Sequence, residues 1–169
     1  MIVLGVDPGL CHPAFVLIDE KLKIIDSCVY EIKDKGEKRK RKILLKLIEV
    51  LNNYKIDLIV LEGYSYMSTR NMKSLLETAE STGLLKYWIA KQNIPLLIIP
   101  PTQWKKYALG KGNVKKDMIP KQAYKIFKVD FNSADEVDAF CIATVGVGFL
   151  KKKNLKSYQE EVVKKLSLA

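Results

Sequence analysis

Short apolar runs, each about as long as a β-strand, open the chain. They cover residues 2–6, 13–18 and 24–32, and the turn sequences Asp7-Pro8-Gly9 and Asp19-Glu20-Lys21 follow the first two. An apolar run of this length bounded by turn residues is typical of a strand. Because connections this short join antiparallel neighbours, the pattern predicts a three-stranded meander.

Helical periodicity alternates with two further apolar runs in the middle of the chain. Residues 37–53 and 72–91 repeat apolar positions at helical spacing, which predicts two helices. The runs at 57–61 and 95–99 are apolar throughout, as expected of parallel strands that helices cover on both faces. Gly83 lies inside the second helix, where it lowers helix propensity, and we interpret it as a site of close helix packing, with a dimer interface as one option.

The sequence after residue 100 predicts helices only. A short helix over residues 102–107 begins with Thr102 as its cap, and a basic helix over residues 115–128 is broken or begins near Pro120. The last helix begins at Ser133.

Ser133 and Glu136, three residues apart, form a capping box for this last helix. The elements together predict an α/β fold with a mixed five-stranded sheet, three strands antiparallel and two parallel, flanked by helices. The 169 residues suit one domain over residues 1–150, followed by a basic tail over residues 151–169 that is predicted to be helical.

Acidic residues stand where these predicted elements begin or end. Asp7 and Glu62 each follow an apolar strand, and parallel neighbours would bring their carboxylates together at one edge of the sheet. Asp135 and Asp138 share a face of the last helix, with their Cβ atoms about 5–6 Å apart. Taken alone, Asp135 can merely favour the helix dipole and Asp138 can be a solvated surface residue.

If all four acids converge, their charges need a cation. Clusters of oxygen ligands select hard ions such as Mg²⁺ or Mn²⁺. Two such ions about 3.5–4 Å apart are a common apparatus for phosphodiester cleavage. The four acids therefore predict a metal-dependent nuclease site.

The charge of the chain points to a polyanionic partner. Its 29 Lys and Arg against 19 Asp and Glu leave a net charge of +10, and phosphate neutralisation supplies much of nucleic-acid affinity. A source organism whose proteins are generally rich in lysine is the alternative. The basic residues concentrate in two blocks: Lys35, Lys38, Arg39, Lys40, Arg41 and Lys42, and then Lys105, Lys106, Lys111, Lys115, Lys116, Lys121, Lys125 and Lys128.

The number of cysteines and the hydropathy of the chain indicate the cellular compartment in which the protein is expected. Cys11, Cys28 and Cys141 are odd in number and lack metal-ligand spacing, which suits a reducing cytoplasm better than disulfides or zinc. No apolar run reaches membrane-spanning length, and the N-terminus lacks the features of a signal peptide. We therefore expect a cytoplasmic protein with no membrane partner.

Four sequence blocks resemble the signature motifs of the RuvC family of Holliday-junction resolvases. They are Gly5-Val6-Asp7-Pro8-Gly9-Leu10, the strand-terminal Glu62, Gly110-Lys111-Gly112-Asn113-Val114-Lys115-Lys116 and Ala134-Asp135-Glu136-Val137-Asp138-Ala139. They occur in the order and at the spacing of the family. The resemblance covers residues 1–150 and implies a ribonuclease H-like nuclease domain there.

The resemblance also implies an activity and a set of site residues. It implies a homodimer that nicks two opposed strands of a four-way DNA junction, leaves 5′-phosphate ends and takes no small-molecule substrate. Asp7, Glu62, Asp135 and Asp138 match the family's catalytic, metal-binding tetrad, with two Mg²⁺ ions per site and Mn²⁺ as a substitute. Lys116 matches a basic residue close to the scissile phosphate.

The DNA-binding residues follow from the same resemblance and from the second basic block. The family carries a base-stacking aromatic after its strand-terminal Glu, and either Tyr64 or Tyr66 can fill that role here. The full set of predicted DNA contacts is Tyr64, Tyr66, Arg70, Lys105, Lys106, Lys111, Lys115 and Lys116.

The chain also departs from the family pattern. Cys11-His12-Pro13-Ala14-Phe15 stands where the family has a small polar residue and Gly, and His12 is interpreted as an exposed turn residue or, less favoured, as a contact to metal or phosphate. Two alternatives stay open: a ribonuclease H-like nuclease of broader branched-DNA or RNA–DNA hybrid specificity, and a junction-binding protein that does not cleave.

Overall fold

A single mixed sheet forms the centre of the molecule, which we describe from a computed structural model over residues 1–64 and 72–169. Its strands lie in the order β3-β2-β1-β4-β5. They are β1 (Ile2–Asp7), β2 (Ala14–Asp19), β3 (Ile24–Val29), β4 (Leu58–Glu62) and β5 (Leu96–Ile99). Strands β1, β2 and β3 pair antiparallel, whereas β4 runs parallel to both β1 and β5. The predicted mixed sheet is confirmed.

Helices cover both faces of this sheet. They are α1 (Gly36–Asn53), α2 (Met72–Lys91), α3 (Pro101–Leu109), α4 (Ile119–Phe127), α5 (Ala134–Lys151) and α6 (Ser157–Val163), with a 3₁₀ turn at Lys116–Met118 before α4. Helices α1 and α2 pack on the face that carries Leu4 and Val6, and the other four pack on the face that carries Val3.

Several element boundaries differ from the sequence prediction, among them the end of β3 and the start of α3. Strand β3 ends at Val29 rather than residue 32, although the Ile32 N–H still donates to the Cys11 carbonyl at 2.8 Å. Helix α3 begins one residue before Thr102, which is exposed inside the helix and does not cap it. Pro101 occupies the first helical position instead, because its fixed φ and missing N–H suit that position.

Helix α5 crosses β1 at backbone contact distance. A Cβ on Gly5 would lie 2.1 Å from the Ala139 carbonyl oxygen and 2.7 Å from the Ala143 amide nitrogen. Only glycine leaves room for this approach. The first turn of α5 is thereby fixed beside the end of β1, and nearly the whole helix is buried.

The segment after α5 packs back on the domain. Val162 and Val163 of α6 are buried, and Glu161 accepts a hydrogen bond from Lys106 Nζ at 2.7 Å. Leu168 pairs with Leu97 beside the edge strand β5. Over residues 1–64 and 72–169, no helix has the length and apolarity needed to span a membrane.

Candidate active site

Two of the predicted acids are neighbours at the carboxyl ends of adjacent parallel strands. Val6 of β1 pairs in register with Leu61 of β4, so Asp7 and Glu62 follow side by side at the same edge of the sheet. The sequence places them there because each strand is an uninterrupted apolar run that stops at its acid. Polar side chains at this edge face the crevice in which α/β sheets bind ligands.

The first turn of α5 brings the other two acids to the same place. Ser133 caps this helix, since its hydroxyl oxygen accepts a hydrogen bond from the Asp135 N–H at 3.2 Å. Asp135 and Asp138 then face Asp7, and one carboxylate oxygen from each of the three residues lies within 4.8 Å of the others. Oxygen ligands at this spacing fit a hard divalent cation.

Glu62 stands slightly apart from these three acids but shares their cavity. Its Oε1 accepts a hydrogen bond from the indole Nε1–H of Trp104 at 2.7 Å. A cavity of about 580 Å³ is lined by all four acids and also by Lys105 and Lys116. The structure therefore brings together the four acids that the sequence singled out.

Burial raises the pKa values of Asp7, Glu62 and Asp138, and repulsion from neighbouring carboxylates adds to the shifts of Asp7 and Asp138. Burial raises the pKa of Asp7 well above its usual range, and the charges of Glu62 and Asp138 add to the shift. Burial also raises the pKa of Asp138 to about 7, against the opposing charge of Lys116. The pKa of Glu62 is raised by burial, which the Trp104 hydrogen bond partly offsets. In the absence of a cation, the cluster therefore retains protons close to neutral pH.

These shifts predict how the stability of the metal-free protein depends on pH. Asp138 has a pKa of about 7 in the folded protein, against about 3.9 in an unfolded chain. Its contribution to stability is fully present below the unfolded value and is lost as pH rises through the folded one. We expect the free energy of unfolding in EDTA to fall between about pH 4 and pH 7 for this reason.

Urea denaturation at constant ionic strength measures this dependence, with Asp138→Asn as the matched variant. The variant lacks the titrating group, so its free energy of unfolding should fall less than that of the wild type over the same pH range. Parallel pH profiles for the two proteins would contradict the assignment of the shift to Asp138.

Among the residues that the structure describes, Lys116 is the basic side chain that forms an ion pair with an acid of the cluster. Its Nζ donates to Asp135 Oδ1 at 3.1 Å, and the rest of the side chain is exposed. Burial opposes its charged form, but the hydrogen bond that Lys116 donates to Asp135 and the negative charges of the cluster outweigh this effect and raise its pKa. Lys116 is therefore held as a cation at the mouth of the cavity.

The other predicted basic contacts fall in different environments. Lys105 lines the cavity, with its Nζ 5.4 Å from the centre of the Trp104 ring. Lys111 and Lys115 are exposed and have no carboxylate partner among the described residues. Lys106, by contrast, is paired with Glu161 of α6.

Half of the first basic block is neutralised within the protein. Lys40 is buried between Glu37 and Glu80, with both Nζ to carboxylate distances at 2.6 Å. Arg39 pairs with Glu77 at 3.3 Å. These ion pairs join α1 to α2, so the block contributes less free positive charge than its sequence suggests.

Of the three loop residues predicted to contact DNA, the structure describes only Tyr64. Its hydroxyl donates to the Ala79 carbonyl at 3.3 Å, and Lys86 Nζ lies 4.9 Å from the ring centre. Tyr66 and Arg70 lie outside the described residues. His12 is exposed and lines the cavity near Asp7.

Sequence patterns did not reveal Trp104 as a site residue. It belongs to a helix that begins directly after β5, and β5 pairs with β4 so that Ile99 is opposite Glu62. Proximity to Glu62 follows only from that strand pairing. The one sequence signal available was Pro100-Pro101, which ends the strand and places the start of the next helix close to the strand end.

The fold and the site together define the class of protein. A mixed five-stranded sheet with acids at the ends of β1 and β4 and on the last large helix is a ribonuclease H-like architecture. The family model described as "Crossover junction endodeoxyribonuclease RuvC" matches residues 3–146. The chain therefore belongs to the RuvC family.

Individual relatives agree with the family match. The chain is 28% identical over 148 residues to a crossover junction endodeoxyribonuclease RuvC of Ehrlichia canis, covering 85% of this chain and 94% of that protein. A protein with the same description from Brachyspira hyodysenteriae is also 28% identical over 148 residues, covering 85% of this chain and 91% of that protein.

Solved structures show the same fold at lower identity. Thermus thermophilus RuvC in complex with Holliday junction substrate superposes with a TM-score of 0.76 at 19% identity, covering 92% of this chain and 98% of that one. The Fowlpox virus resolvase in complex with substrate Holliday junction DNA gives a TM-score of 0.51 at 16% identity, covering 89% of this chain and 99% of that one.

Proposed function

We propose that this protein is an endonuclease that resolves four-way DNA junctions by metal-dependent paired nicking and leaves 5′-phosphate ends. The observation that carries the proposal is the convergence of Asp7, Asp135 and Asp138 within 4.8 Å in a protein of net charge +10. A protein that only binds DNA gains nothing from acids that face phosphate. The chain belongs to the RuvC family, whose members are described as crossover junction endodeoxyribonucleases.

Asp7, Glu62, Asp135 and Asp138 would hold the metal. Two Mg²⁺ ions, with Mn²⁺ as a substitute, would supply activation of the attacking water and stabilisation of the leaving 3′ oxygen. Lys116 is held beside Asp135 at 3.1 Å, where its ammonium group can offset charge that develops on the scissile phosphate. The acids would hold the ions, and Lys116 would add fixed positive charge.

The nuclease domain is assigned to residues 1–150. Residues 151–169 form a tail that includes α6 and packs against α3 through the ion pair of Glu161 with Lys106. We also propose a cytoplasmic setting, in which the three free thiols stay reduced.

Synthetic substrates test the proposed function directly. Four-way junction, flap, duplex and RNA–DNA hybrid are incubated with Mg²⁺, Mn²⁺ or EDTA, and the products are mapped on sequencing gels. We expect paired nicks with 5′-phosphate ends on the junction with either metal, and none in EDTA. Preferential cutting of the hybrid or the flap would favour the broader nuclease. Junction binding without cleavage under every metal condition would favour a binding protein.

Two lysines are proposed as DNA contacts: Lys111, which is exposed and has no carboxylate partner among the described residues, and Lys116, which stands at the mouth of the cavity beside Asp135. Replacing Lys111 and Lys116 by Ala should weaken junction binding and reduce its salt dependence by up to about two phosphate contacts. Fluorescence anisotropy across a salt series measures the slope. Lys42→Ala with Lys46→Ala is the matched control, since both lysines lie on α1 and neither lines the cavity. A larger change of slope in the control would place the DNA elsewhere.

A homodimer fits the need to nick two strands, and α2 offers the surface for it. Met72, Leu76, Gly83 and Tyr87 lie in one stripe along this helix, where Leu76 is 56% and Tyr87 67% exposed. Exposed apolar surface of this kind is typical of an interface. A Cβ on Gly83 would contact nothing within 4 Å, so the described residues leave that position open for a partner.

Charged substitutions on this stripe should therefore separate the subunits. We expect the wild type to sediment as a dimer and the variant Leu76→Glu with Tyr87→Glu to sediment as a monomer. Leu45→Glu, which changes an exposed apolar residue of α1, is the control and should leave the dimer intact. Dimers that persist in the double variant would place the interface elsewhere.

A further inference from the structure

Trp104 is the largest side chain in direct contact with an acid of the site. It is only 1% exposed, and its single polar atom donates to Glu62 Oε1 at 2.7 Å. This distance is at the short end for an N–H···O hydrogen bond, as expected for a charged acceptor. The contact joins residues 42 positions apart in sequence.

An indole N–H can donate a hydrogen bond but cannot accept one. It can therefore donate to the ionised carboxylate of Glu62. If Oε1 were protonated, its O–H would need an acceptor, which the indole N–H cannot provide. Lys105 strengthens this preference, because its charge also lowers the pKa of Glu62 and its Nζ lies 5.4 Å from the Trp104 ring centre. Trp104 and Lys105 thus favour the charged form of Glu62, whereas burial disfavours it.

Glu62 accepts the Trp104 hydrogen bond and lies outside the group that the other three acids form. One oxygen each from Asp7, Asp135 and Asp138 lies in a common group, and Glu62 is not a member of it. The hydrogen bond from Trp104 uses one lone pair of Oε1, so Oε2 is the more available oxygen for a metal ion. The indole is buried, so a change in its direction would require α3 to move. The fixed indole N–H in turn holds the Glu62 carboxylate in place.

We propose that Trp104 is a positioning residue that holds Glu62 as a one-oxygen metal ligand separate from the three-aspartate group. This proposal rests on the proposed metal-dependent function, and it adds a residue outside the four acids. Loss of a group that orients a metal ligand typically weakens metal affinity by about 10- to 100-fold. Trp104 would thereby control the affinity of the ion that Glu62 binds.

Metal affinity measured without DNA tests the proposal. Titration calorimetry with Mn²⁺ is carried out on the wild type, Trp104→Phe, Glu62→Gln and the double variant. We expect Trp104→Phe to weaken Mn²⁺ binding by about 10-fold or more. In the Glu62→Gln background the same change should alter affinity by less than about twofold, because the two residues act through one contact. Equal weakening in both backgrounds would overturn the positioning role.

Leu109→Ala controls for general loss of packing. Leu109 is buried in the same helix, and its truncation lowers stability without removing the hydrogen bond to Glu62. We expect its Mn²⁺ affinity to stay within about twofold of the wild type. A wild type that binds no Mn²⁺ would overturn the proposed function itself. A wild type that binds Mn²⁺ no better than Trp104→Phe would overturn only the role of Trp104.

A second measurement does not require the Trp104 variant to fold. The chain has two tryptophans, so Trp88→Phe leaves Trp104 as the source of one indole N–H signal in a ¹H–¹⁵N spectrum. We expect this signal to shift when Mg²⁺ is added, and the response to disappear when Glu62→Gln is introduced. An indole signal that is insensitive to both changes would overturn the proposal.

Discussion

Asp7→Asn is expected to abolish junction cleavage while junction binding stays equal or becomes tighter. Asp7 is the one acid of the cluster on β1, and its carboxylate lies within 4.8 Å of both Asp135 and Asp138. The amide is a weaker metal ligand and carries no charge, so several kcal/mol of transition-state stabilisation is lost. We expect the cleavage rate to fall by at least about 1,000-fold. Binding survives because the substitution removes a negative charge that faces phosphate.

Single-turnover cleavage and anisotropy on the same junction separate the two effects. Asp130→Asn serves as the control, since Asp130 is exposed and does not line the cavity that contains the four acids. It should cleave at the wild-type rate. Residual cutting by Asp7→Asn close to that rate would contradict the assignment of the active site.

Gly5→Ala is expected to cause a large loss of stability, because the added methyl group meets backbone atoms of α5. The new Cβ would lie 2.1 Å from the Ala139 carbonyl oxygen, a distance that real contacts do not reach. Either β1 or α5 must shift, and overpacking of this severity costs about 3 kcal/mol or more. The same shift would separate Asp7 from Asp138, so Mn²⁺ affinity should fall as well.

Urea denaturation in the presence of EDTA measures this loss, and a double variant identifies its cause. The Ala143 Cβ would lie 2.8 Å from the new methyl group, so Gly5→Ala with Ala143→Gly removes that side-chain contact. We expect little rescue, because the nearest atom belongs to the backbone. Full rescue would show that α5 tolerates the methyl group and that the backbone contact is not limiting.

The position of the acids was predictable from local sequence because each one stands at the boundary of an element. Asp7 and Glu62 end uninterrupted apolar runs, and Ser133 sets the start of α5, which orients Asp135 and Asp138. The pairing of β1 with β4 brings Asp7 and Glu62 together, and Asp135 and Asp138 join them because α5 packs against β1. Periodicity and capping therefore predict where each acid lies in its element, whereas their meeting depends on tertiary packing.

The partners of charged groups were not predictable in the same way. Lys40 looks like a surface lysine in sequence, but Glu80, which neutralises it, lies on another helix 40 residues later. Trp104 likewise meets Glu62 only through the pairing of β5 with β4. Gly5 appears as an ordinary strand residue, and its importance follows from how closely α5 approaches. Each of these contacts is set by tertiary packing, which periodicity does not encode.

Strand β5 forms one border of the sheet, and border strands carry unpaired backbone groups that can recruit other chains. Here the Ala169 N–H donates to the Leu96 carbonyl at 2.9 Å, and Leu168 pairs with Leu97. The last residues thus shield this border from intermolecular β-addition. Removal of residues 165–169 would uncover a short hydrophobic template, so the practical consequence is a risk of amyloid-like self-association during purification or storage.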